Sequence, residues 1–256
     1  MPSKSNIEWT EATWNPVTGC TKISAGCKNC YAERIAIRLQ NMGVEQYRNG
    51  FKLNLAPHVL NVPRQWKKQR VVFVNSMSDL FHKKVPLEYI QSVFQVMNET
   101  QHIYQVLTKR SKRLKEIAHL LKWTANIWMG VSVENEKAVY RVKDLEATPA
   151  QVKFLSIEPL IGPILSLELE KIDWIIVGGE SGPKARPLQK VWVDDIFKLC
   201  SEKNIPFFFK QWGKKSFNPN AADPTLDKKN DSYAKGGCQL DGKIYRALPF
   251  QTVISK

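Results

Sequence analysis

The 256-residue chain lacks any run of about 18 apolar residues, the length a helix needs to cross a bilayer, so no membrane span is expected. Met1 to Glu11 is polar and has no basic start followed by an apolar segment. That excludes a recognisable signal peptide and predicts a cytoplasmic chain. Acidic residues are scarce: 24 Asp and Glu stand against 38 Lys and Arg, a formal net charge of +14. Histidine is limited to four residues and cysteine to five. In a reducing compartment clustered cysteines point to metal ligation or redox chemistry before structural disulfides.

The shortage of acid is uneven. Residues 1–70 carry 11 basic against 4 acidic side chains, residues 71–181 carry 13 against 13, and residues 182–256 carry 14 against 7. Two basic ends favour a polyanionic partner, DNA or RNA, through counterion release and steering. A basic surface with no dedicated partner is the alternative that charge alone leaves open.

What the sequence does contain is one dense cysteine stretch. Cys20, Cys27 and Cys30 fall within eleven residues in the spacing C-x6-C-x2-C. Before them, residues 7–14 are aromatic and β-branched enough for a first strand, which Asn15-Pro16 ends. After them, Tyr31, Ile35, Arg38, Leu39 and Met42 have helical spacing, so a helix is expected from about Lys28 to Met42 with Cys30 in its first turn. Residues 43–70 read as an irregular excursion.

A rhythm follows. Apolar runs at 71–74, 103–107, 127–131, 152–155, 174–177 and 205–209 each close with small, acidic, basic or amide residues, and helices are expected between most of them. Runs without strict alternation are those of parallel strands buried on both faces. The expected class is α/β, an incomplete (β/α) barrel of about six to seven mainly parallel strands. Polar residues after every strand favour it over a doubly wound sheet, which concentrates them at one switch point. One domain over residues 1–213 is expected, with an irregular extension or flap over 214–256 that includes a hairpin at Leu240-Asp241-Gly242-Lys243.

The chemistry-bearing residues sit at those strand ends. Three thiolates suit zinc or an iron–sulfur cluster. A closed zinc site needs a distant fourth ligand, such as Cys200, Cys238, His58, His82, His102 or His119. A cluster with one exchangeable iron needs none, and three unmetallated thiols are the third option. Asp79, Glu134 and Glu158 follow successive strands and are either ligand-orienting groups or partners of Lys109, Arg110 and Lys210. Gly178-Gly179-Glu180 permits close backbone approach to a ligand, or is only a tight turn. Lys210-Gln211-Trp212 offers a cation, an amide and a stacking face, although Trp212 equally suits a tail anchor. His82 reads as a satisfied surface histidine.

The runs Trp9-Thr10, Trp14-Asn15-Pro16-Val17-Thr18-Gly19-Cys20, Gly26-Cys27-Lys28-Asn29-Cys30-Tyr31-Ala32-Glu33 and Phe73 to Phe81 resemble the phage-encoded three-cysteine-motif proteins. The likeness continues at Thr108-Lys109-Arg110, Gly130 to Glu134, Ser156 to Leu160, Gly178 to Gly182 and Phe209 to Gly213. That family's biochemical role is poorly defined; it is grouped as an outlier of the radical S-adenosylmethionine (SAM) enzymes, with spore photoproduct lyase among suggested relatives.

The resemblance implies a 4Fe-4S cluster on Cys20, Cys27 and Cys30 and SAM on the fourth iron. It implies an electron donor such as flavodoxin or ferredoxin; the basic ends of the chain point to a nucleic acid or nucleotide as the substrate class. The chain departs from the superfamily's pattern: the first cysteine loop is three residues longer than its C-x3-C-x2-C, and Asn29 replaces its aromatic residue. Where the superfamily places a Gly-Gly-Glu motif for the SAM amino group, this chain has Ser76-Met77-Ser78-Asp79. Gly178-Gly179-Glu180 comes four strands later, so that role is not transferred to Glu180. Ser76, Ser78, Asp79, Glu134, Glu158, Gly178, Gly179, Glu180, Lys210 and Gln211 are the candidate cofactor-binding residues. A zinc-stabilised nucleic-acid-binding protein without catalysis is the alternative.

Overall fold

Seven short strands dominate the computed structural model, which describes residues 7–226 and 236–249. In chain order the elements are β1 (Ala12–Trp14), β2 (Val17–Thr18), α1 (Tyr31–Asn41), β3 (Asn54–Leu55), β4 (Val71–Val74), α2 (Leu87–Asn98), β5 (Ile103–Thr108), α3 (Ser111–Ile117) and β6 (Ile127–Ser132). They continue with α4 (Tyr140–Glu146), β7 (Val152–Ile157), β8 (Trp174–Gly178), α5 (Lys190–Glu202), β9 (Phe207–Gln211), β10 (Gln239–Leu240) and β11 (Lys243–Ile244). The strand order β1-β4-β5-β6-β7-β8-β9 is that of an incomplete (β/α) barrel, and the class is α/β.

The chain divides into two compact units. The first comprises residues 1–131 and 143–152, the second residues 132–142 and 153–256.

In the first unit β1 pairs in parallel with β4, and β4 with β5. Their burial explains the unbroken apolar runs: Val72, Phe73 and Val74 are all buried, so both faces of the strand are covered. β1 is shorter than the sequence suggests. Trp9 and Thr10 precede it in a turn, where the Thr10 hydroxyl caps the Ala12 and Val71 carbonyls. Within the expected irregular excursion, β3 pairs antiparallel with β2. This pairing brackets the cysteine loop between two short strands.

α1 starts three residues later than the Lys28 expected, at Tyr31, and its buried face differs from the one its large side chains trace. Ala32 and Ala36, four residues apart, pack with Tyr47 and Met77, and Cys30, Leu39 and Phe51 lie against that cluster. Tyr31, Ile35, Ile37 and Met42 are exposed. Small residues on the inner stripe let the helix backbone sit close to the loop after β4, and the bulky ones are left outside.

In the second unit β7 pairs in parallel with β8, and β8 with β9. All five residues of β8 are buried. The chain after β9 packs onto this unit. β10 and β11 form the antiparallel hairpin expected at Asp241-Gly242, Phe209 N donates to the Tyr245 carbonyl, and Trp212 Nε1 donates to the Gln239 carbonyl at 2.9 Å. Trp212 is fully buried and therefore anchors the tail. The charged run Asp227–Asp231 lies outside the described residues.

Candidate functional site

The first unit carries the three cysteines directly after β1 and β2. Gly19 is held in the left-handed region at φ 75°, and a Cβ there would lie 2.1 Å from the Lys52 carbonyl oxygen. Only glycine fits. Gly19 N donates to the Met77 carbonyl at 3.0 Å and Cys20 N to the Phe51 carbonyl at 3.1 Å, which fixes the backbone entering the loop from two sides. Cys27 ends a single 3-10 turn, Ala25–Cys27, with its sulfur 3.8 Å from the Ser24 hydroxyl. Cys30 is the residue preceding α1, at its N-cap, so its sulfur stands at the helix start instead of within the first turn.

All three thiols are free and half-buried. Burial, reinforced by the negative charge of Asp79, pushes the Cys20 thiol up to about 11, against the opposing pull of Arg110. Arg110 Nη2 donates to the Thr21 carbonyl and hydroxyl, both at 2.9 Å, and reaches Cys20 Sγ at 3.8 Å.

Asp79 is fixed as tightly. Its Oδ1 accepts the Thr108 hydroxyl at 2.7 Å and Phe81 N at 3.0 Å; its Oδ2 accepts Lys109 N at 3.1 Å and lies 3.9 Å from Arg110 Nε. The Ser76 hydroxyl donates to Asn15 Oδ1 and the Ser78 hydroxyl to the Val17 carbonyl at 2.7 Å. These three candidates therefore join the end of β4 to its neighbours, leaving hydroxyl lone pairs as their open capacity. His82 is buried, not on the surface. Its Nδ1 accepts Lys84 N, which places the proton of the neutral ring on Nε2, facing the Thr21 hydroxyl at 2.9 Å.

Among the described residues no three or more His, Cys, Asp or Glu gather around one metal ion. His58 and His119 are exposed, while His102 is buried with Nε2 at the Pro63 carbonyl. Cys200 and Cys238 are buried in the second unit, where burial pushes the Cys200 thiol up to about 12. In a 4Fe-4S cluster each thiolate takes its own iron, so the ligands need not converge on one atom. The donor set of the loop, three half-buried soft sulfurs with one guanidinium at Cys20 Sγ, fits such a cluster.

The second unit holds the remaining candidates, and here each carboxylate has found a cation. After β6, Glu134 Oε2 accepts Arg141 Nη1 at 2.7 Å, and the same nitrogen donates to the Ser132 carbonyl. Following β7, Glu158 stands 3.1 Å from Lys210 Nζ, which projects from β9. Beyond β8, Glu180 is gripped by Arg186 through Nε at 2.9 Å and Nη2 at 2.6 Å. Gly178 makes room for this arrangement, since a Cβ there would lie 2.7 Å from Glu158 Oε1. Gly179 does the same for the backbone, where a Cβ would lie 2.3 Å from the Trp212 carbonyl oxygen. Gln211 is buried, its Nε2 3.4 Å from the Gly179 carbonyl and its Oε1 without a hydrogen-bond partner.

Ion pairing at the strand ends is one of the two readings the sequence leaves open. Its partners are only partly legible there: Lys210 stands among the expected cations, Arg141 and Arg186 do not. Their one sequence signal is a basic residue seven or six positions after each glutamate, which is too common to single out.

Fold and loop together define an α/β chain of barrel-type strand order with a three-thiol donor set after its first strand. The chain belongs to the family described as protein of unknown function (DUF5131), whose model matches residues 4–249. No curated protein and no solved structure matches it.

Proposed function

We propose that this protein is a radical SAM enzyme in which Cys20, Cys27 and Cys30 hold a 4Fe-4S cluster and which acts on a nucleic acid or nucleotide. One observation carries the reading: three free, half-buried thiols share a loop at the carboxyl end of the first parallel strand, where β/α proteins of this kind place their chemistry. When bound, the group supplies one-electron reduction of the SAM sulfonium, with flavodoxin or ferredoxin as the class of donor.

The chain's own residues have defined tasks in this reading. Gly19 lets the loop turn against the Lys52 carbonyl and so sets the direction of Cys20. In the first unit, Ser76 and Ser78 offer hydroxyl lone pairs, and Asp79 holds the end of β5 in place. In the second unit, Gln211 Oε1 is an acceptor for a polar ligand, Gly178 and Gly179 let Glu158 and the Trp212 backbone approach, and Glu134, Glu158 and Glu180 position Arg141, Lys210 and Arg186. The basic ends of the chain supply attraction to a polyanionic substrate. Among the described residues no helix is long and apolar enough to cross a membrane; a cytoplasmic location, where thiols stay reduced, is part of the proposal.

Anaerobic purification tests it. A brown protein with about four irons per chain, losing iron in Cys27→Ala, is the expected result. Incubation with SAM and dithionite should then release 5′-deoxyadenosine. A colourless protein holding one zinc overturns the proposal in favour of a zinc-stabilised nucleic-acid-binding protein.

A further inference from the structure

One side chain joins the cysteine loop to the segment after β5. Arg110 lies two residues after β5, at the N-cap of α3, and its side chain is 11% exposed. Its backbone N–H donates to the Thr108 hydroxyl, which in turn donates to Asp79. From this fixed base Nη2 reaches the Thr21 carbonyl, the Thr21 hydroxyl and Cys20 Sγ. Thr21 is held from a second side by His82, whose carbonyl and that of Val85 accept the Arg113 guanidinium. Beside the backbone bond from Gly19 N to the Met77 carbonyl after β4, the Arg110 side chain thereby ties the start of the cysteine loop to the segment after β5.

We propose that Arg110 is a positioning residue for the metal centre: it clamps Cys20 through Thr21 and, by its N–H···S contact and its charge, raises the reduction potential of a cluster held there. The proposal rests on the cluster reading above. The physical reason is direct. Taking up an electron adds negative charge to the cluster, and a guanidinium 3.8 Å from a ligand sulfur stabilises the more negative state. Asp79, 3.9 Å from Arg110 Nε, opposes the effect in part through its negative charge. The tuning acts through Cys20, the sulfur that the guanidinium reaches. Outer groups that orient metal ligands typically change metal affinity by about 10- to 100-fold when removed.

The test compares the wild-type chain with Arg110→Lys, which keeps the charge and loses the fork, Arg110→Gln, which loses both, and Thr21→Val, which loses one acceptor. Iron content and absorbance come first, then a potentiometric titration followed by the electron paramagnetic resonance signal of the reduced cluster. Arg110→Gln should move the midpoint to lower potential by a tenfold change in the reduction equilibrium, about 59 mV for one electron. Arg110→Lys should fall between it and the wild type.

A full iron complement with an unchanged midpoint in both Arg110 variants overturns the tuning role and leaves the cluster reading intact. A wild-type chain that assembles no cluster overturns both. The clamp is read separately by amide hydrogen exchange in iron-free protein. Faster exchange confined to residues 20–24 in Arg110→Gln and Thr21→Val is expected, and unchanged exchange there overturns the clamp.

Discussion

Arg141 and Glu134 form the most deeply buried ion pair among the described residues, 2.7 Å apart with side chains 3% and 2% exposed. A carboxylate in that setting is stabilised by its cation and could not carry its charge alone. Arg141→Met should therefore destabilise the chain by about 3–5 kcal/mol, the range for stranding a buried partner. Glu134→Gln should cost less because the amide oxygen still accepts a hydrogen bond. Urea unfolding of the two variants checks the order.

Gly19→Ala should damage the cysteine loop at its entry. The left-handed φ of 75° and the 2.1 Å approach to the Lys52 carbonyl leave a methyl group no room without moving β3 or the loop. A loss of about 1–3 kcal/mol is expected, the usual range for such backbone strain. Chemical denaturation measures it. Gly43→Ala is the control: it shares a positive φ of 72° but has nothing within 4 Å of where the added methyl would sit.

His82 gives the chain a dependence on pH. Burial, helped by the Arg110 charge, holds its imidazole below the ordinary histidine value, so the folded chain favours the neutral ring. The stability this contributes is fully present above the unfolded-state pKa of about 6.5 and is lost as pH falls through that value toward the folded one. Melting temperatures between about pH 5 and 8 should fall more on the acid side for the wild type than for His82→Asn. Parallel profiles for the two would refute it.

Trp212→Ala should loosen the chain beyond β9. The indole is fully buried, packs edge-on against Phe209 with centroids 4.9 Å apart, and donates to the Gln239 carbonyl. Truncating such a side chain costs about 3–5 kcal/mol. Hydrogen exchange should rise at residues 236–245 before it rises in β8.

The sequence by itself determined the strands β4 to β9, most of the helices and the places where polar groups emerge, but not β2, β3 or the short length of β1. A parallel strand covered on both faces has to be an apolar run, and the residue that leaves the sheet has to be one that tolerates the change, so β4 to β9 and their closing residues were written in the order of residues. The three cysteines were legible for the same local reason, as was the Asp241-Gly242 hairpin. Tertiary structure decided the pairings. Which cation meets Glu134, why α1 buries alanines instead of Ile35 and Met42, and that Arg110 reaches Cys20 across 90 positions depend on elements that are distant in sequence and adjacent in space. A lone basic residue or alanine carries no local pattern that announces its partner; packing and charge neutralisation choose it only once the strands are in place.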